Sequence, residues 1–196
     1  MLKILLILLL LITATIHGMD QRLYKYPDAK NDYVKASKDK DQSAAFQLAL
    51  FYKTELQDYD KAIEWYKIAY SYGSERSAFN LGLIYHKQKN YDEALKWYKE
   101  AYKNNDIKSA YNLGLLYEET YKDNKKAIKW YKKAYKQGNM AGANNLGYLY
   151  DVTLKDQAQD IYWYRKVHKV GIQMLLTTSI KFIMKKVTLL LHQHMF

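Results

Sequence analysis

Four Trp-Tyr pairs constrain this chain more than any other feature. Trp65-Tyr66, Trp97-Tyr98, Trp130-Tyr131 and Trp163-Tyr164 contain all 4 of its tryptophans and stand 32, 33 and 33 residues apart. Upstream, in the same phase, lie Leu48-Ala49, Leu81-Gly82, Leu113-Gly114 and Leu146-Gly147; eight residues beyond each Trp come Gly73, Asn105, Gly138 and Gly171. Four landmarks held in register over four copies mark a tandem array, whose units stack on one another. A catalytic site needs one copy of each part, whereas a stacking surface needs many.

Each unit reads as two helices. In the second copy Tyr91, Ala94, Leu95, Tyr98, Ala101 and Tyr102 recur every three or four residues, which defines one helical face. Asn90 is placed to cap this helix, Asp92 and Glu93 suit its positive end, and Asn105 can stop it in the left-handed conformation. The preceding helix carries Ala78, Leu81, Gly82 and Tyr85 at helical spacing. A glycine inside a helix costs about 1 kcal/mol against Ala, so its recurrence predicts a close helix crossing with no room for a side chain. A single hairpin of this kind cannot bury its apolar face, and neighbouring hairpins must share a core. With 1 Pro and 8 Gly in 196 residues, the composition favours helices throughout. The expected fold is an all-α, right-handed α-solenoid of about four antiparallel hairpins over residues 43–171.

The pattern A-x-N-L-G-x-x-Y, A-x-x-W-Y-x-x-A, G occurs as "SAFNLGLIY…EALKWYKEAY" and "SAYNLGLLY…KAIKWYKKAYKQG". It resembles the Sel-like repeat family and, at this spacing, the related tetratricopeptide repeats. Tetratricopeptide repeats usually carry Pro where the second helix ends; the Gly endings here are closer to the Sel-like branch, although these units are more compact. The resemblance implies a scaffold that binds other proteins. A cysteine-rich secreted branch of the family is linked to penicillin binding and β-lactamase activity, but this chain has no Cys. Its S-x-x-K from Ser37 to Lys40 lacks the accompanying S-D-N and K-T-G motifs.

The N-terminus has Lys3 before an apolar run from Ile4 to Ile12, then small and polar residues. This is the layout of a signal peptide cleaved after Gly18, with an uncleaved membrane anchor as the alternative. The protein is therefore expected outside the cytoplasm, periplasmic or secreted. Residues 19–42 are polar, contain Pro27 and read as a solvated lead-in. After Gly171 the repeat stops. Back-translation of "IQMLLTTSIKFIMKK" one base out of phase permits a string in register with "SERSAFNLGLIYHKQK", so residues 172–196 are expected to be the frame-shifted remnant of a fifth repeat, or else an apolar cap or membrane-contacting helix.

No constellation of catalytic or metal-binding type is apparent, and no cofactor, metal or enzymatic activity is expected. His192 and His194 are two ligand types in a terminal tail. The formal net charge of +11 suits an anionic partner. Its excess gathers on second helices, notably Lys125, Lys126, Lys129, Lys132 and Lys133, which serve either as a solvated face or as a contact for an anionic envelope polymer or lipid headgroups. Nucleic acid is not expected behind an export signal. Gln47, Asn80, Asn112 and Asn145 share one repeat position on the first helices. The family geometry implies that this position lines the concave groove, where carboxamides can pair with a peptide backbone and Phe46, Phe79 and Tyr111 can add apolar contacts. The alternative is that each carboxamide bonds a neighbouring helix.

Overall fold

A computed structural model of the chain describes residues 19–171. Residues 1–18, expected to be a leader, residues 172–196, expected to be a frame-shifted remnant, and with them His192 and His194, all fall outside the described residues. Helices joined by short turns make up the described chain, and no strand occurs among the described residues. The chain divides into two compact units, one ending at Ser109 and one beginning at Ala110.

The first unit holds a 3-10 turn, Gln21–Lys25, and five helices: α1 Pro27–Asp39, α2 Gln42–Thr54, α3 Tyr59–Ser71, α4 Arg76–Lys87 and α5 Tyr91–Lys103. Each helix packs against the next in the chain. The second unit takes in α6, Ser109–Leu115, from its second residue on, then α7, Asn124–Lys136, α8, Met140–Tyr148, and α9, helical over residues 157–171. The predicted two-helix unit recurs in α2–α3, α4–α5, α6–α7 and α8–α9.

The turn inside each unit is built the same way every time. Gln57, Lys89, Lys122 and Lys155 take φ of 51°, 60°, 53° and 52°. The next residue caps the second helix: Asp58 accepts from the Lys61 amide at 3.0 Å, Asn90 from Glu93 at 3.4 Å, Asp123 from Lys126 at 3.0 Å and Asp156 from Gln159 at 3.2 Å. A left-handed residue reverses the chain and an Asx cap satisfies the amides it exposes. Between units the left-handed position falls to Gly73, Asn105 and Gly138, as expected. Gly171, expected to stop the last helix, is still helical.

The alternation of 32 and 33 in the Trp spacing has a structural cause. From Gly82 the chain reaches its cap Asn90 in eight residues, whereas Gly114 to Asp123 and Gly147 to Asp156 each take nine. The additional residue is absorbed as a π turn, over Leu116–Thr120 in one copy and Leu149–Leu154 in the other. In the first copy, also nine residues from Ala49 to Asp58, the Leu56 amide reaches back five residues to the Phe51 carbonyl at 3.4 Å. A π turn widens the coil by one residue and leaves the next helix in place.

As predicted, the helical glycines Gly82 and Gly114 sit where no side chain fits, and the space is taken by a ring. A Cβ on Gly82 would lie 2.4 Å from the Tyr98 ring, and one on Gly114 2.4 Å from the Tyr131 ring. Each glycine thus makes room for the tyrosine of its own hairpin, and Tyr98 and Tyr131 are wholly buried. The small alanines Ala62, Ala69, Ala94, Ala101, Ala127 and Ala134 are also fully buried and let the second helices approach.

Residues 19–42 are not a solvated lead-in. Leu23, Ala29 and Ala36 are buried there, and the Tyr33 ring meets the Trp65 ring edge-on at 5.6 Å. Ala29-x-x-Asp32-Tyr33-x-x-Ala36 stands 33 residues ahead of Ala62-x-x-Trp65-Tyr66-x-x-Ala69, and Lys40, at φ 52°, stands 33 ahead of Gly73. Helix α1 is therefore the second helix of a half-unit that closes the array. Polar ties hold it: Arg22 pairs with Asp20 at 2.6 Å and Asp58 at 2.5 Å, and the Tyr52 hydroxyl donates to Asp20 at 3.2 Å. The Arg22 guanidinium holds the Asp20 carboxyl below the usual carboxylate range. At Asp58 burial pushes upward, but hydrogen bonds from Arg22 and the Lys61 amide outweigh it and the pKa is lowered.

Candidate functional site

The four carboxamides are held by α2, α4, α6 and α8, at one position of each. Gln47 is exposed and Asn80 half-buried on the first unit; Asn112 and Asn145 are half-buried on the second. Two of them make the neighbour bonds that the alternative reading required. Asn80 Oδ1 accepts from Lys53 Nζ of the preceding hairpin at 3.1 Å, while its Nδ2 donates to the Arg76 carbonyl at 3.1 Å. Asn145 Nδ2 donates to the Tyr131 hydroxyl at 3.1 Å, and that hydroxyl donates to Glu118 Oε2 at 2.6 Å.

The aromatic residues beside them behave as a set. Phe46, Phe79 and Tyr111 lie against Tyr66, Tyr98 and Tyr131 with ring centroids 5.4, 6.0 and 6.0 Å apart. Phe79 and Tyr111 stay half-buried. Phe46 does not serve as a groove contact: it is 8% exposed, with the Arg76 guanidinium 4.8 Å from its ring centroid. In the fourth copy Asn144 replaces this aromatic.

A second polar row went unread in the sequence. Lys53, His86, Glu118 and Asp151 follow the small residue of each first helix by four positions. Lys53 bonds Asn80, His86 Nδ1 lies 3.4 Å from the Tyr98 hydroxyl, and Glu118 holds Tyr131. Their spacing of 33, 32 and 33 is that of the Leu-Ala and Leu-Gly pairs, but four different side chains at one position conceal the register. Burial, and at Tyr131 also Glu118, pushes the Tyr98 and Tyr131 hydroxyls far above the ordinary tyrosine value, so both are protonated at neutral pH.

Tyr66, the counterpart in the first hairpin, has a buried hydroxyl with no hydrogen-bond partner. This separates the two positions experimentally. Tyr66→Phe is expected to leave urea stability within about 0.5 kcal/mol of wild type or to raise it, because nothing is orphaned. Tyr131→Phe is expected to cost about 1–3 kcal/mol, because it leaves Glu118 and Asn145 short of a partner. Equal costs in the two variants would contradict the network.

A cleft of about 360 Å3 in the first unit is lined by Met19, Asp20, Tyr33, Tyr52, Lys61, Glu64, Trp65 and Ile68, and lies apart from the carboxamide row. Ser37 and Lys40 are exposed at the C-terminal end of α1. Among the described residues no group of three or more His, Asp or Glu side chains is placed to hold a metal ion, and no helix is long and apolar enough to cross a membrane.

Buried small residues, aromatic second-helix positions and half-exposed polar side chains along the first helices define a class, the all-α tandem-repeat scaffold. The tetratricopeptide repeat family model matches residues 41–106 and 74–137, and this stretch of the chain is an array of tetratricopeptide-like repeats. Among solved structures, the Sel1 repeat protein from Oxalobacter formigenes is 25% identical over 69% of this chain, with a TM-score of 0.53. The chain spans 61% of that protein's length. MamA is 18% identical, with a TM-score of 0.62 over 80% of this chain and 98% of its own. MamA 41-end from Desulfovibrio magneticus RS-1 is 21% identical, with a TM-score of 0.54 over 78% and 91%. At these identities MamA shares the fold alone. No curated protein sequence matches this chain. Repeat proteins of this type are generally non-catalytic scaffolds that bind other proteins.

Proposed function

We propose that the protein is an exported, non-catalytic scaffold that holds a protein or peptide segment along its first helices. The observation that carries this reading is the half-exposed carboxamide fixed by internal bonds. A carboxamide has two N–H donors and two acceptor sites on its oxygen. At Asn80, Lys53 and the Arg76 carbonyl use one acceptor site and one donor, leaving one of each while setting the amide's orientation. At Asn145 the Tyr131 hydroxyl uses one donor. An amide already oriented loses little entropy when it pairs with a peptide group. Gln47 and Asn112 occupy the same repeat position, with Phe79 and Tyr111 beside the row for apolar contact.

The test is a peptide selected from a random display library for binding to the wild-type protein. Changing Asn80, Asn112 and Asn145 together to Ala is expected to weaken that peptide by several kcal/mol, at about 0.5–1.5 kcal/mol per hydrogen bond, with the helical signal retained. Unchanged affinity in the folded triple variant sinks the carboxamide reading. Export is tested separately, by sequencing the N-terminus of the protein recovered from an envelope fraction: a chain beginning at Met19 supports cleavage after Gly18, and one beginning at Met1 supports the anchor.

A further inference from the structure

The second helices carry one outward stripe, four residues at spacing i, i+4, i+7 and i+11. On α3 it reads Asp60, Glu64, Lys67, Ser71, and on α5 Asp92, Lys96, Lys99, Lys103. On α7 it becomes Lys125, Lys129, Lys132, Lys136, all exposed. On α9 it is Ala158, Tyr162, Arg165, Lys169, again all exposed. The second unit thus presents six cations on this stripe and no carboxylate, where α3 presents two carboxylates and one Lys.

The loss of acids extends beyond the stripe. On α3 and α5, lysines are neutralised three residues away, in the pairs Lys61–Glu64, Lys96–Glu93 and Lys103–Glu100. Where α5 has Glu93 and Glu100, α7 has Lys126 and Lys133. Lys126 pairs with the capping Asp123. None of the ion pairs among the described residues involves Lys125, Lys129, Lys132 or Lys136. Like charges a turn apart repel on a helix, and α7 accepts four of them in a line.

Helices α7 and α9 are neighbours. The Tyr135 ring meets the Trp163 ring edge-on at 5.5 Å, and Lys132 Nζ lies 5.9 Å from the same ring centroid. Two adjacent helices present a broad face, not a slot. Among its cations stand apolar side chains that a solvated face does not need: Tyr162 is 48% exposed and Ile161 49%. Lys166 Nζ lies 5.2 Å from the Tyr162 ring centroid. Aromatic side chains flanked by Lys and Arg suit the headgroup level of a bilayer, where the rings enter the interface and the cations meet anionic lipid.

We propose that the α7–α9 face of the second unit docks on an anionic lipid bilayer. The cations of the stripe supply the attraction, and Tyr162 and Ile161 supply the interfacial contact. A linear polyanion would use the same cations but has no use for the exposed apolar pair. This surface lies on the second helices and is independent of the carboxamide row on the first.

The experiment is co-sedimentation of the full chain with phosphatidylcholine vesicles, with and without about 30% phosphatidylglycerol. Binding is expected to be much stronger with the anionic lipid and to fall steeply as salt rises. Changing Lys125, Lys129, Lys132 and Lys136 to Gln should weaken it at least about a hundred-fold. Changing Lys35, Lys38, Lys40 and Lys67 to Gln, an equal loss of charge on the first unit, should cost about ten-fold or less. Tyr162→Ala should weaken vesicle binding further while leaving binding to long-chain polyphosphate unchanged. Preference for neutral vesicles, equal losses in the two quadruple variants, or polyphosphate binding without vesicle binding overturns the proposal. The circular dichroism of each variant confirms that the surface changes leave the helices intact.

Discussion

Trp97→Ala is expected to lower stability by about 3–5 kcal/mol, the cost of removing a large aromatic side chain from a packed interior. Trp97 is 8% exposed. Its ring receives Tyr70 of the preceding hairpin edge-on at 5.4 Å and 89°, and its Nε1 donates to Glu93 Oε2 at 3.0 Å. The substitution therefore removes an interface between hairpins as well as a core residue. In a repeat array neighbours stabilise one another across such interfaces, so the loss should appear as earlier unfolding of the α2–α3 hairpin as well as of α4–α5. Urea denaturation followed by circular dichroism reads it directly. A change below about 1 kcal/mol would mean that the Trp ring does not hold the hairpins together.

The second large effect concerns the half-unit. A chain beginning at Asp41 is expected to be at least about 3 kcal/mol less stable than one beginning at Met19, from the burial of Leu23 and the Tyr33 side chain alone. Removing α1 strips Tyr33 from Trp65 and uncovers the face of α2 that α1 packs against. It also takes away Arg22 and so the partner of Asp58. Terminal units with a polar outer face are what allow an array to end in water. Equal stability of the two chains would show that α1 lies on the array without closing it.

The array was legible because its landmarks are chemically rare. A Trp-Tyr pair repeated four times in one phase leaves little freedom, and the hairpins α2–α3 to α8–α9 result from it. Helix α1 was missed for the same reason. Asp32 stands where the Trp would be and Lys40 where the Gly would be, so the two most visible marks of the unit are gone. The remaining signal, Ala29, Tyr33 and Ala36 in phase with Ala62, Tyr66 and Ala69, consists of common residues that attract no notice singly. The carboxamide row was visible as a row, but its bonding was not. Whether Asn80 faces a partner or a neighbour depends on the reach of Lys53, 27 residues away in another hairpin, and no local pattern encodes that distance. The glycines were legible as points of close approach, but the group that approaches was not. A missing Cβ shows that something comes close, and only the packed structure shows that it is a tyrosine ring.

The π turns give this architecture an unusual tolerance. Copies of 32 and 33 residues stand side by side because the odd residue is taken up where a first helix ends, ahead of the cap that starts the second. A one-residue insertion or deletion at that point leaves the Ala and Trp-Tyr positions of the second helix facing the same neighbours. Unequal crossing-over between copies of different length would therefore yield chains that still close their cores. Copy number and copy length can then drift in evolution without the misregistered packing that a rigid repeat would impose.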